Sequence, residues 1–266
     1  MVIKIPETIE NVCMVGDVHG KLEQVTYHIR QFHIANTAFI LCGDVGFGFE
    51  SLKHYTDNVI PGLEKTLNKT NCIIYCIRGN HDDPIYYSQQ LINTYYVKTI
   101  SDYTVLQFKD KNILCIGGGY SADRFYRKSQ NSLFIVDYMK WHNCDYSIAE
   151  QRAKKCYWED EPPIYQSKLD MRIDIICTHS APSFCFPLFK GDIVFDWAKY
   201  DEDLLSDLDK ERAVFDAIYE DYKDTVMHWY YGHFHKSNVE KINNTVFRLL
   251  NIDEIYQHVT DDNYSL

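Results

Sequence analysis

The sequence predicts an α/β fold whose functional residues lie along one edge of a sheet. Two observations lead there. Short apolar runs alternate with segments of helical spacing, the pattern of successive βαβ units. Five of those runs also stop at Asp, Asn or His: Val15-Gly16-Asp17-Val18-His19-Gly20, Leu41-Cys42-Gly43-Asp44, Gly79-Asn80-His81-Asp82, Thr178-His179 and Gly232-His233-Phe234-His235. Core packing does not select metal-competent polar side chains at strand ends, whereas open α/β folds place their sites there.

Taken in order, the strand Val12–Val15 is followed by Lys21–Phe32, where Leu22, Val25, Ile29 and Phe32 share a helical face. Asp17 and His19 are two apart, so in extended chain both point to one side. The strand Ala38–Cys42 runs into a glycine-rich loop, Gly43 to Phe49, that carries no lysine or arginine. A helix from Ser51 uses Leu52, Tyr55, Val59 and Leu63, and Pro61 kinks or divides it. The strand Cys72–Ile77 leads to Gly79-Asn80-His81-Asp82. Asp83 and Pro84 then read as N-cap and first residue of a short helix reaching Leu91.

Thr104–Phe108 and Ile113–Ile116 form a hairpin that ends in Gly117-Gly118-Gly119. Residues of about 120–170 are polar and aromatic, with a capping box expected at Ser147 to Glu150, and are read as an insertion over the site. After the strand Ile173–Cys177 comes an aromatic loop, at about 183–200, which could be core or lid. Asp203–Tyr222 has the spacing of a surface-packed helix, and strands at Val226–Tyr231 and Thr245–Leu250 close the sheet. Because the motifs run from Asp17 to His235, a boundary between them would split the site, and a single domain over residues 1–266 is expected.

Composition narrows the function. With 45% hydrophobic and 15% aromatic residues, the chain can bury a large core. A net charge of -11 repels long nucleic acid. The nine cysteines include no CxxC pair, the first residues hold no secretory apolar region, and no apolar run is long enough for a membrane span. A cytoplasmic protein with free thiols and no membrane partner is expected.

Asp17, His19, Asp44, Asn80, His179, His233 and His235 supply oxygen and nitrogen donors without thiolate. Seven such donors overfill one tetrahedral ion and suit two ions that share a carboxylate, with Mn, Fe, Zn, Ni or Co as the fitting metals. Two ions a few ångströms apart clamp an in-line phosphoryl displacement. Each motif alone is weak, since Gly-Asp and Gly-Asn are common turn pairs, but five in series after strands are not explained as turns.

This series of motifs resembles the calcineurin-like metallophosphoesterases. The resemblance implies a two-sheet β-sandwich flanked by helices (α/β/β/α). Carried over by position, Asp17, His19 and His235 would hold one metal and Asn80, His179 and His233 the other. Asp44 would bridge them, and His81 would protonate the leaving alkoxide or position the phosphate. The protein Ser/Thr phosphatase branch continues its second motif as Gly-Asp-x-Val-Asp-Arg-Gly. Here Gly43-Asp44-Val45-Gly46-Phe47-Gly48-Phe49 lacks that Asp-Arg pair, which points to the general phosphatase and phosphodiesterase branches. Some bacterial-type members carry a stretch like Gly117 to Arg127, so Arg124 and Arg127 are expected to supply phosphate-binding charge. The expected activity is hydrolysis of a small or locally exposed phosphoester by attack of metal-bound hydroxide. A nuclease of the same fold and a non-catalytic interaction module are the rivals.

Overall fold

The computed structural model describes residues 1–159 and 161–258. Its first half runs β1 (Val2–Lys4), β2 (Asn11–Val15), α1 (Glu23–Gln31), β3 (Thr37–Leu41), α2 (Leu52–His54), a π-helical turn (Tyr55–Val59), α3 (Ile60–Thr70), β4 (Ile73–Cys76), α4 (Pro84–Ser88) and β5 (Val97–Thr99). The hairpin β6 (Thr104–Phe108) and β7 (Lys111–Ile116) follows, then α5 (Arg124–His142), α6 (Tyr146–Arg152) and β8 (Ile175–Thr178). The remainder is α7 (Asp192–Ala198), α8 (Leu204–Tyr222), β9 (His228–Tyr231), β10 (Asn238–Ile242), β11 (Thr245–Leu249) and β12 (Ile255–His258).

The strands form two sheets, ordered β1-β6-β7-β8-β9-β11-β10 and β12-β2-β3-β4-β5. Strands β2 to β5 are mutually parallel, as are β7, β8, β9 and β11, while β12 and β10 add antiparallel edges. Alternation along each strand sorts the side chains into layers. Val12, Met14, Ala38, Ile40, Ile73 and Tyr75 face Leu106, Ile113, Cys115, Ile175 and Cys177 between the sheets. Their neighbours Cys13, Val15, Phe39, Leu41 and Ile74 pack outward on Val25, Ile29, Leu63 and Leu67 of α1 and α3. On the far side Val105, Leu114, Ile176, Trp229 and Phe247 meet Phe215, Ile218 and Tyr222 of α8. These three cores make an α/β/β/α sandwich, the fold that the motif resemblance implied.

Local expectations are corrected at two places. Helix α1 stops at Gln31, so Phe32 leaves the helical face and is 66% exposed. Helix α6 begins at Tyr146 after an extended Asp145, which puts Ser147 inside the helix, so no capping box forms with Glu150. The helix from Ser51 is divided near Pro61, as expected, with the proline in the first turn of α3. The π turn before it widens the backbone where a proline ring would otherwise crowd the preceding carbonyls. Helices α5 and α6 carry their own small apolar cluster around Ile135, Ala149 and Ala153. All nine cysteines are free, and no helix among the described residues is long and apolar enough to cross a membrane.

Trp229 joins the outer core to the strand that bears a site residue. It is fully buried, stacks on Phe247, and its Nε1 donates to Thr178 Oγ1 at 2.7 Å. Replacing it with Ala removes a large buried aromatic and one of the two hydrogen bonds of that hydroxyl, which still donates to the Ser180 carbonyl, so the urea unfolding free energy is expected to fall by about 3–5 kcal/mol.

Candidate metal centre

Six strand ends converge. Strands β2, β3 and β4 of the smaller sheet and β7, β8 and β9 of the larger one point their carboxyl ends the same way. The loops that follow bring together all seven sequence-predicted ligands. In one group His235 Nε2 lies 3.0 Å from His19 Nε2 and 3.2 Å from Asp17 Oδ2. Donor atoms of Asp17, His19, Asp44 and His235 all fall within 4.8 Å of one another. In the other group Asn80 Oδ1 is 2.8 Å from His179 Nε2 and 2.9 Å from His233 Nδ1. Asp44 stands between them, with Oδ1 3.3 Å from His179 Nε2 and Oδ2 3.8 Å from His19 Nδ1.

The second group shows why these contacts suit a cation. His179 Nδ1 lies 2.8 Å from the Cys42 carbonyl oxygen, an acceptor, so Nδ1 carries the proton and Nε2 is a bare lone pair. Asn80 donates its amide to Ser121 Oγ at 2.8 Å, which turns its carbonyl oxygen toward that lone pair. Two acceptors 2.8 Å apart repel unless a positive charge sits against both. The carboxylates raise the same demand. Asp17 and Asp44 are buried, and among the described residues their only ion-pair partners are histidines.

Electrostatics follow from that burial. Asp44 is pushed well above the usual carboxylate range by desolvation, then by Asp17 and Asp82. For Asp17 burial acts upward, but the His235 hydrogen bond and the nearby His179 and His233 amide bring it below. Burial lowers His179 to about 4 and His233 well below the usual imidazole range, leaving both rings neutral and free to ligate. His235 alone is raised, by its hydrogen bond to Asp17, and it is the most exposed ligand candidate.

Backbone geometry is specialised. His19, Asp44, His233 and His235 all have positive φ, between 44° and 71°, a region uncommon for residues with a side chain. Two glycines are required by close approach. A Cβ on Gly79 would lie 2.1 Å from Asp44 Oδ1, and one on Gly232 would lie 2.2 Å from Asp17 Oδ1.

His81 is brought to the centre but not into either group. Its Nε2 lies 3.8 Å from Asp44 Oδ2 and 3.3 Å from Arg127 Nη2. A guanidinium can only donate, so Nε2 accepts and the ring is neutral, consistent with a downward shift caused by burial and then Arg127. Arg127 is held by Asp123 at 2.7 Å and opens onto the cleft. Arg124 is not available there. It is buried in a forked pair with Asp201, at 2.6 and 3.0 Å, and also meets Asp207 at 2.8 Å. Sharing a helical face did not suffice, because α5 begins at Arg124 and that side chain turns toward Asp201, just before α8, and Asp207, in its first turn.

Two acidic residues escaped the sequence reading. Asp82, to which the sequence reading gave no role, is fully buried. It accepts from the amides of Val45, Gly46, Phe47 and Gly79 at 2.6–3.1 Å. The signal was present in the glycine-rich loop, whose successive N–H groups need an acceptor. Glu161 accepts from Ser121 N at 2.8 Å and Ser121 Oγ at 2.9 Å, completing a chain from Asn80 through Ser121. Burial pushes this carboxyl up to about 8. Nothing near Pro162-Pro163 in the sequence announces it.

Neutral imidazoles and buried carboxylates gathered at the strand ends, with no Lys or Arg ion-paired to Asp17 or Asp44 among the described residues, are the donor set of a metal-dependent hydrolase. The chain belongs to the calcineurin-like phosphoesterases, whose family profile matches residues 11–237, and is a phosphoester hydrolase. No curated protein sequence matches it as a relative. Among solved structures it is similar to a protein assigned as a 5'-nucleotidase from Staphylococcus aureus. The identity is 13% and the TM-score 0.42, over 93% of this chain and 50% of that one, so the chain spans about half of that neighbour. It is also similar to a phosphopantetheinyl hydrolase from Mycobacterium tuberculosis, at 13% identity and TM-score 0.45, over 96% and 98% of the two chains.

Removing the Asp82 carboxylate leaves four buried amides without an acceptor. Asp82→Ala is expected to cost about 3 kcal/mol or more of unfolding free energy, and Asp82→Asn less, since one oxygen remains. Urea titration of both variants beside the parent protein measures this.

Proposed function

We propose that two divalent cations occupy this centre, one held by Asp17, His19 and His235 and the other by Asn80, His179 and His233. Asp44 would contact both. The observation that carries this is the position of Asp44, whose two oxygens face separate donor groups. Mn suits the oxygen and nitrogen donors, as do Fe, Zn, Ni or Co. Such a pair of cations supplies a hydroxide nucleophile at neutral pH and offsets charge on the phosphoryl oxygens.

The chain's own residues do the rest. Arg127 faces the cleft and would hold a phosphate oxygen, replacing the Asp-Arg pair missing after Asp44. A phosphate anion seated between Arg127 and His81 would raise the affinity of the His81 ring for a proton, which it could then pass to the departing alkoxide. Hydrolysis breaks the bond between phosphorus and the alcohol oxygen and releases alcohol and phosphate, or a phosphomonoester from a diester. A small-molecule or locally exposed phosphoester is the expected substrate, in the cytoplasm, where nine unpaired thiols are at home. Against a nuclease stands the net charge of -11, and against a non-catalytic module stands the retention of all seven donors.

Metal analysis is expected to return two divalent ions per chain at saturation, and Asp44→Asn to weaken both sites together. A single ion per chain would refute the paired centre.

His81→Ala is expected to lower turnover of alkyl esters by on the order of 10²–10⁴ with metal content preserved, and of p-nitrophenyl esters by less. Equal losses would assign the ring to positioning alone. Arg127→Ala is expected to lower kcat/KM at least about tenfold, roughly 1.4 kcal/mol, with only partial rescue by Lys.

A further inference from the structure

The cleft over the metal centre has two unlike halves. It encloses about 600 Å³. Its floor is polar and consists of Asp44, Asn80, His81, His233 and His235, with Arg127 at one side. A second, apolar wall comes from the segment leading into and through α7, where Leu188, Phe189, Ile193 and Trp197 line the same cavity. Leu188, Phe189 and Ile193 are 59%, 86% and 67% exposed, so the protein itself leaves these side chains uncovered. Large exposed apolar groups gathered beside a site mark a binding surface.

Charge on the cleft walls is already committed. Three cations are found among the described residues that line it, Arg127, Lys190 and Arg212. Lys190 is paired with Asp209. Arg212 donates to the backbone carbonyls of Ala181, Pro182, Cys185 and Pro187, fastening the base of the apolar segment. Only Arg127 is directed to the floor. A second phosphate, or any further anionic group, would meet apolar carbon and Asp209 on this wall.

We infer that the substrate is a phosphoester with a single phosphate whose organic part is a bulky apolar body, aliphatic or aromatic, seated against Leu188, Phe189, Ile193 and Trp197. This rests on the hydrolase reading above and names its substrate class. The occupant is the ester's own apolar body because wall and floor are one cavity. A phosphate on the floor therefore carries its substituent directly onto the wall.

The test uses metal-loaded protein and two homologous series, ethyl, butyl and hexyl phosphate and the matching methyl alkyl phosphodiesters, with alcohol release as readout. Leaving-group chemistry is nearly constant within each series, so kcat/KM reports the contact with the added methylenes. A fully buried methylene contributes up to about fourfold, and a rise of at least about tenfold from ethyl to hexyl is expected in one series. Phe189→Ser and Ile193→Ser are expected to flatten that rise, and both residues are exposed, so the fold does not depend on them. Turnover with no dependence on chain length would overturn the inference while leaving the hydrolase reading intact. No turnover of any ester, bis-p-nitrophenyl phosphate included, would remove both. A flat series together with binding to phosphatidylcholine vesicles that Phe189→Ser abolishes would reassign the wall to a lipid surface and refute the proposal.

Discussion

A single buried carboxylate organises this protein. Asp82 gathers the amides of Val45, Gly46, Phe47 and Gly79, and so ties the loop after β3 to the loop after β4. Each of those loops carries metal-ligand candidates. With the tie in place the His81 amide reaches Asp44 Oδ1 at 2.9 Å, and Asp44 is fixed between the two donor groups. The loops cannot satisfy these amides by secondary structure, because they have just left the strands. Charge-assisted bonds to one acid do that work instead, at a place closed to water.

A second tie crosses between the sheets. Asn80 follows β4 of the smaller sheet, Ser121 follows β7 of the larger, and Glu161 lies on the segment before β8. The hydrogen bonds along this chain decide which way the Asn80 amide faces, and hence whether an oxygen or an amino group meets His179. The sheet-to-sheet core brings these loops near each other through apolar packing, which has no direction. Orientation at the level of single atoms comes from the polar ties.

The central strands were legible in the sequence because they are buried on both faces and read as continuous apolar runs ending in polar motifs. The four strands that were not, β1, β5, β10 and β12, are the four sheet edges. They are short, partly exposed and mixed in composition, as in Val239-Glu240-Lys241, so periodicity carries little signal there. The candidate ligands were legible because each interrupts an apolar pattern. Asp82, Ser121 and Glu161 were not, since their importance lies in partners far along the chain. Arg124 misled for the same reason. Its nearest claimants, Asp201 and Asp207, are more than seventy residues away.

The capture of Arg124 has a consequence for how substrate arrives. With that guanidinium neutralised, and the protein's net charge at -11, the described residues that line the cleft offer one cation to its floor, Arg127. An anionic ester approaching through physiological salt feels attraction only within about one screening length, roughly 8 Å, of the floor. Encounter is then not helped by steering, and diffusion delivers anionic ligands no faster than the ordinary rate for uncharged partners. Such an enzyme selects after contact, by how long a molecule stays, rather than by how often it is drawn in.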